Sequence, residues 1–193
     1  MKKLAIALVC ILLVVGVVGG TLAWLTDTTP EVKNVFTTSD ISITLTETNV
    51  DEDNTPNTNS YQMIPGWTIT KDPKVTVGSG SEYCWLFVKL EESDNFDTFM
   101  EYTIDSDWTA LTGVDGVYYI EVDTDEEIGK EFPVIKDNTV TVKSEVTKEQ
   151  MNALTATTQP TLTVTAYATQ LMKDNNTEFT VDQAWAVLNP TNP

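Results

Sequence analysis

The side chains that could do chemistry in this 193-residue chain are almost all carboxylates. There are 29 Asp and Glu residues and 11 Lys, but no His and no Arg. Without His, the chain lacks a Ser-His-Asp triad, a Cys-His dyad and an HExxH zinc motif. A carboxylate pair of the glycosidase type remains, but 29 acidic residues provide such pairs by chance. The sequence therefore predicts no catalytic residues, and we expect no enzyme activity.

The sequence offers little for binding a metal or a cofactor. Cys84 is the only cysteine outside the N-terminal apolar run, so a chain that has lost this run has no internal disulfide and too few ligands for structural zinc. The apolar stretch YCWLFVKL around Cys84 predicts a buried thiol. The acidic stretch Glu121–Gly129 lacks the spacing and the central glycine of an EF-hand. We interpret it as a solvated loop, with weak Ca²⁺ binding as the alternative, and predict no cofactor and no metal site.

The charge balance excludes one class of partner. The formal net charge is −18, and removal of the segment that carries Lys2 and Lys3 lowers it by two charges, to −20. A surface this acidic repels the phosphates of nucleic acids and of anionic membranes. We therefore predict an acidic, solvated surface and no nucleic-acid partner.

The N-terminal residues predict an export signal. A short basic start is followed by the 15-residue apolar run Leu4–Val18 and then by small or polar residues up to Ala23. This order is typical of a secretory signal, and cleavage after Ala23 would make Trp24 the first mature residue. We therefore predict a cleaved signal helix over residues 1–23.

A membrane anchor is the competing interpretation of the same run. The uncharged stretch Leu4–Leu25 has 22 residues, enough to span a bilayer. However, no cluster of Lys or Arg follows it as a stop-transfer signal, and the next charge is Asp27. Export with cleavage is the favoured interpretation, which predicts a product that is secreted or displayed at the cell surface.

From Asp40 onward, apolar residues alternate with Thr, Ser and Lys, which predicts half-buried β-strands. In ISITLTE, for example, Ile41, Ile43 and Leu45 fall on one face. Thr supplies about one residue in six, and its β-branched side chain suits a pleated surface. Turn signals separate the strands, so we predict one all-β sandwich domain over residues 40–193. The other predicted strand runs are WTITKDPKVTV, YCWLFVKLEE, VYYIEV, NTVTVKSEV and TLTVTAYATQ.

Two short helices are predicted among the strands. In TKEQMNAL, Thr147 and Gln150 have the spacing of a capping box, and Thr180 and Gln183 repeat it in TVDQAWAVL. Each pair predicts a helix that begins directly after the threonine.

Four tryptophans lie in the predicted domain. Trp67 and Trp85 belong to strand runs with apolar neighbours two residues away, and Trp185 belongs to an amphipathic helix. We predict core positions for these three. Trp108, in DSDWTALTG, is the best candidate for an exposed ligand contact, for example on a sugar-stacking surface.

Three stretches together carry a resemblance to a known family. In GTLAWLTDT…NVFTTSDISITLTE the matching residues are Gly20, Thr21, Ala23, Trp24, Asp27, Asn34, Phe36 and Ile41. In MIPGWTITKDPKVTVGSGSEYCWLFVKLEE they are Pro65, Gly66, Lys71, Asp72 and Pro73. In LTVTAYATQ…FTVDQAWAVL they are Ala166, Tyr167, Ala168, Gln170, Ala184 and Trp185. Their order resembles the TasA/camelysin family, exported with SipW-type signal peptides, although Ser39 or Asp40 replaces the glycine usual after the Phe.

This resemblance implies a jelly-roll sandwich that is secreted by a Gram-positive bacterium and cleaved before Trp24 by a dedicated signal peptidase. TasA-like members form biofilm matrix fibres, in which an N-terminal segment of one subunit pairs with the sheet of the next. The implied partners are further copies of the chain and other matrix components. The alternatives are a monomeric secreted or surface sandwich that binds a glycan or protein ligand, and thirdly a camelysin-like peptidase, for which these residues supply no catalytic apparatus.

The segment between the signal and the sandwich, residues 24–39, is the candidate for pairing with the sheet of the next subunit. It contains a proline and is expected to be extended. It could be a flexible tail, an edge strand of its own domain or a donor strand for another copy, and the donor strand is favoured. Head-to-tail donation of this kind does not close on itself and so produces filaments. The apolar residues of the segment are Trp24, Leu25, Val32, Val35 and Phe36.

Assembly of such acidic subunits is expected to depend on ionic conditions. At a net charge of −20 (−18 less Lys2 and Lys3), subunits repel one another, so salt, Ca²⁺ or mild acid should each increase assembly. Light scattering by the purified protein measures this directly. No increase in scattering under all three conditions would count against fibre formation.

Overall fold

The apolar–polar alternation produces an antiparallel all-β fold in the computed structural model, which describes residues 40–48 and 59–189. Each predicted strand run contains at least one observed strand, so the all-β prediction is confirmed. The strands are β1 (Ile43–Thr46), β2 (Thr68–Thr70), β3 (Lys74–Val77), β4 (Cys84–Glu92), β5 (Met100–Glu101), β6 (Thr109–Ala110), β7 (Val117–Val122), β8 (Glu131–Pro133), β9 (Thr139–Val142), β10 (Leu162–Gln170), β11 (Met172–Asp174) and β12 (Thr177–Glu178).

The strands of the described residues form three antiparallel sheets and a hairpin. The strand orders are β10–β4–β7–β6, β1–β3–β8 and β2–β9–β5, and β11 pairs with β12. Strands β4 and β10 pair along their full length, from Glu92 opposite Leu162 to Cys84 opposite Gln170. This ladder is the longest in the described part of the chain, and β10 is the edge strand of its sheet in a sandwich-like arrangement.

The run WTITKDPKVTV, which reads as one alternating stretch, is divided between two sheets. Its first part forms β2, which pairs with β9, and its second part forms β3, which pairs with β1 and β8. Pro73 stands directly before β3 and has no N–H to donate to a ladder. Its carbonyl accepts a hydrogen bond from Val134 N at 2.9 Å. The chain therefore passes from one sheet to the other at a proline, which has no backbone N–H to donate to a neighbouring strand.

The helices begin where the capping boxes predict. They are α1 (Phe96–Phe99), a 3₁₀ helix (Lys136–Asn138), α2 (Lys148–Asn152) and α3 (Val181–Leu188). Gln150 N donates to Thr147 Oγ1 at 3.2 Å and Gln183 N donates to Thr180 Oγ1 at 3.3 Å, and each Gln side chain accepts from its threonine's N–H. Both predicted helices, α2 and α3, are thus confirmed, with the side-chain caps that satisfy their first N–H groups.

Strand β4 is buried on both faces, and the prediction that it is half-buried was wrong. One face, which includes Cys84 and Leu86, joins the main core. The other face presents Trp85 and Phe87 to a second cluster with Ala184 of α3. Both faces of β4 are buried because α3 packs on the face that the sequence pattern predicts to be exposed to solvent. The predicted burial of Cys84 is confirmed, and burial raises the pKa of its thiol to about 11.

Two of the four tryptophan predictions were wrong. Trp85 is buried and Trp185 packs on Phe87, as predicted. Trp108, expected to be exposed, is only 6% exposed, because its indole N–H donates to Pro133 O at 2.7 Å and can therefore enter the core without losing a hydrogen bond. Trp67, expected in the core, is 61% exposed, because it lies in the turn before β2 rather than within the strand.

The described residues all belong to one compact unit, which corresponds to the predicted sandwich domain. The predicted signal (1–23) and the predicted donor segment (24–39) lie outside the described residues. No helix in residues 40–48 and 59–189 is long and apolar enough to cross a membrane.

A pair of glycines tests the packing between β4 and β7. Gly116 has a φ of 71°, and a Cβ there would lie 2.4 Å from the carbonyl oxygen of Leu90, whereas Gly113, with a φ of 81°, has nothing within 4 Å. Gly113→Ala should therefore cost only the left-handed strain, about 1 kcal/mol. Gly116→Ala adds a backbone clash and should cost about 3 kcal/mol in the free energy of unfolding, measured by denaturant titration. Equal losses for the two variants would contradict this packing.

Candidate functional site

An open groove of about 1520 Å³ lies between β1, β2, β10 and the segment 59–64. Three buried apolar side chains, Phe96, Met100 and Val140, line it. The lining is mixed, because polar side chains, among them Glu47, Lys71 and Thr163, lie beside the apolar ones. A mixed surface of this kind is common where a protein binds another polypeptide. Less deeply buried apolar residues complete the lining: Leu45, Met63, Ile69, Leu162 and Val164.

Strand β10 borders the groove with one free edge. Strand β4 pairs with one side of it, and no other described strand pairs with the other side. Ser93 N donates to Thr161 O at 3.0 Å. In β10, the backbone N–H and C=O groups of the odd-numbered residues therefore point to β4. The residues whose backbone N–H and C=O groups point to the free edge are then Leu162, Val164, Ala166 and Ala168.

Strand β1 has a shorter free edge. It pairs only with β3 among the described strands, and Gly78 N donates to Ser42 O at 2.7 Å. By the same alternation, Thr44 faces β3, while the backbone groups of Ile43 and Leu45 face the open side. Two strand edges that no described strand pairs thus border one groove.

The polar end of the groove is organised by Glu47. Lys71 Nζ lies 2.7 Å from its Oε2. Asn59 Nδ2 and Tyr61 OH both donate to its Oε1, at 2.9 and 3.0 Å. Three side chains from two parts of the chain therefore converge on one carboxylate, which fixes the start of the segment 59–64 beside β1.

This carboxylate also affects the ionisation of the tyrosine. Burial first, and then the hydrogen bond and negative charge of Glu47, raise the pKa of Tyr61 to about 12. The phenol therefore remains a donor to Glu47 across the neutral range.

The acidic stretch predicted as a loop lies away from this groove. The predicted loop was wrong at its start, because Glu121 and Val122 belong to β7 and Val122 is fully buried. Residues 123–126 are exposed, as predicted. Burial, and then the nearby carboxylates of Asp123, Glu178 and Glu127, raise the pKa of Glu121. In the part of the chain that the structure describes, no three His, Cys, Asp or Glu side chains are arranged to hold a metal ion.

The groove was not predicted from the sequence. The predicted cleavage residues, Ala23 and Trp24, and the rest of the predicted donor segment lie outside the described residues, and Trp108 is a core residue. The polar cluster of Glu47, Asn59 and Tyr61 carried no sequence signal, because its members are polar residues in an acidic, Thr-rich chain.

Comparisons with known proteins found no match. No family model, no curated protein and no solved structure matches this chain.

Replacement of Tyr61 by phenylalanine tests the Glu47 cluster through its pH dependence. The pKa of Tyr61 is raised from 10.0 to about 12 on folding, so its stabilising effect is complete below pH 10.0 and is lost as the pH rises to about 12. At pH 8, Tyr61→Phe should lower the unfolding free energy by at most about 1 kcal/mol, because the residue is partly solvated.

The difference between wild type and Tyr61→Phe should then shrink at alkaline pH. Both proteins retain Tyr102, whose pKa is raised by burial and by Glu92, so its contribution cancels in the comparison. The two carboxylates that affect Tyr61, Glu47 and Asp72, are the same in wild type and variant. Urea unfolding at pH 8 and pH 11 measures the effect, and a difference that grows with pH would contradict the assignment.

Proposed function

We propose that this protein is a secreted structural subunit of extracellular matrix fibres, assembled when one copy donates an N-terminal strand to the next. The free edge of β10 above an apolar groove is the observation that supports this proposal most. Such an edge binds an extended peptide through main-chain hydrogen bonds, while the groove accepts alternate side chains.

The proposed occupant of the groove is the segment 24–36 of a second copy. Fully extended, its thirteen residues span about 40 Å, compared with about 30 Å for the nine-residue strand β10. Its five apolar side chains match an apolar groove, whereas its neighbours are mostly Thr, Asp and Glu. The donor strand would add beside β10, and β1 borders the same groove.

Export is part of the same proposal. Cleavage after Ala23 by a signal peptidase would release Trp24 and the following residues, so that processing makes the donor segment available. On this proposal the sandwich is a jelly roll that is completed by the donated strand, the filament is a homopolymer, and other matrix components are its further partners.

Exposed apolar side chains near the groove favour a second candidate function. Tyr61, Ile64 and Trp67 are 40%, 38% and 61% exposed and lie within seven residues of one another. Such a group, with an aromatic residue at each end, could bind a glycan or a protein ligand in a monomeric secreted protein. Monomers that bind a carbohydrate through Trp67 and form no filaments would favour this function over the fibre.

A proline substitution on the free edge tests strand addition. In Ala166→Pro, the lost N–H is the one that faces the free edge, so the ladder with β4 is retained. We expect a folded protein with a melting temperature within a few degrees of wild type, but no filaments by negative-stain electron microscopy.

Thr70→Pro provides the matched control. Lys71 N donates to Asn138 O, in line with β9, at 2.9 Å. Because backbone groups alternate along a strand, the N–H of Thr70 on β2 points away from β9, the only described strand that pairs with β2. This variant loses an outward N–H on a different edge and should still form filaments. Normal filaments from folded Ala166→Pro, or loss of filaments in both variants, would contradict donation at β10.

A further inference from the structure

The Glu47 cluster contains an arrangement that fibre assembly does not require. A primary amine, Lys71 Nζ, lies 2.7 Å from Oε2 of Glu47, and a primary amide, Asn59 Nδ2, lies 2.9 Å from Oε1 of the same group. An amine and a carboxamide are thus each bound to one oxygen of the same carboxylate. These are a nucleophile, an acyl group and a general base.

The surroundings of these groups are largely closed to water. The side chains of Lys71 and Glu47 are 16% and 15% exposed. Asn59 Oδ1 is buried and accepts no hydrogen bond from any described residue, which is costly for an amide oxygen. The carboxamide is therefore in a site where its carbonyl has lost its hydration and has not gained a donor.

The other ion pairs of the described residues differ from this one. Lys74 with Glu131, Lys89 with Glu91 and Lys130 with Asp107 all have at least one partner that is roughly half exposed or more. In these pairs water competes with the carboxylate for the hydrogen bonds of the ammonium. Among the ion pairs of the described residues, only Lys71 with Glu47 combines a largely buried amine with a carboxamide that is bound to the same carboxylate.

We propose that Lys71 and Asn59 join in an intramolecular isopeptide bond, with Glu47 as the residue that transfers the protons. The bond would tie the segment 59–64 covalently to the end of β2 at the polar end of the groove. This inference does not depend on fibre formation.

The reaction balances without an added reagent. Glu47 takes one proton from the Lys71 ammonium, and the neutral Nζ attacks Cγ of Asn59. When the amide turns over, the protonated Glu47 faces Oδ1 and donates to it, which satisfies the buried oxygen and polarises the carbonyl. The Nζ–Cγ bond forms and the Cγ–Nδ2 bond breaks. Glu47 passes to the leaving nitrogen first the proton it took from the ammonium and then the one that Nζ gives up on becoming an amide, so the nitrogen departs as ammonium.

The proton count fixes the product. Of the three ammonium protons of Lys71, one stays on the new amide nitrogen and two leave with the departing NH₂ group as ammonium. The protein loses one ammonia in mass and one positive charge.

Digestion with a lysine-specific protease measures the bond. Without it, cleavage after Lys33, Lys71 and Lys74 gives the peptides 34–71 and 72–74. With it, Lys71 is acylated and resists cleavage, so a single peptide 34–74 appears, lighter than its linear form by about 17 Da, one ammonia. We expect this peptide to replace 34–71 in the folded wild-type protein.

Formation of a succinimide at Asn59 causes the same mass loss as the isopeptide bond, but the protease cleavage pattern distinguishes the two. An asparagine that cyclises on its own backbone also loses ammonia but leaves Lys71 free, so peptide 34–71 would still be released. Fragmentation of peptide 34–74 should locate the link between Asn59 and Lys71.

Substitutions separate the chemistry from folding. Glu47→Gln cannot take the proton and Lys71→Arg removes the amine, so both should lack the link. Glu131→Gln removes an exposed ion pair of Lys74 and should retain it. Full-mass peptides 34–71 and 72–74 from wild type, or an unchanged link in Glu47→Gln, would overturn the proposal, whatever the filament experiments show.

Discussion

The edge of β10 that no described strand pairs is the feature on which the proposed strand addition depends. Its ladder with β4 satisfies the N–H and C=O groups of alternate residues, and the groups between them, from Leu162 to Ala168, point away from β4. Leu162 and Val164, at the start of this edge, line the groove. Such an edge favours addition of another strand, and soluble proteins normally cover or shorten it. Here the edge is nine residues long and bordered by apolar side chains, which is the arrangement that a donor strand requires.

Charge and packing act in opposite directions on association. The chain carries a net charge of −18, which becomes −20 if the predicted signal with Lys2 and Lys3 is removed. Copies with this charge repel one another at long range, which opposes association. The groove acts at short range through apolar contact and main-chain hydrogen bonds, which ionic strength affects little. The cluster of Glu47, Lys71 and Asn59 holds the polar end of this groove in place without adding an exposed charge.

Sequence patterns predicted local structure well and the site poorly. The capping boxes at Thr147 and Thr180 and the strand of VYYIEV depend on neighbouring residues, so both could be read from the chain. Burial of Trp108 depends on a hydrogen bond to Pro133, 25 positions away, and the second burial of β4 depends on α3. The groove arises where β1 and β10 meet, and no local pattern encodes contact between strands so far apart.

Removal of the donor segment tests the central claim most directly. The chain that begins at Trp24 and the chain that begins at Asp40 are compared by negative-stain electron microscopy at mildly acid pH. If residues 24–39 donate a strand, the chain that begins at Trp24 should form filaments and the chain that begins at Asp40 should remain a folded monomer. Filaments from both would place the contact within the sandwich itself, and filaments from neither would contradict a fibre subunit.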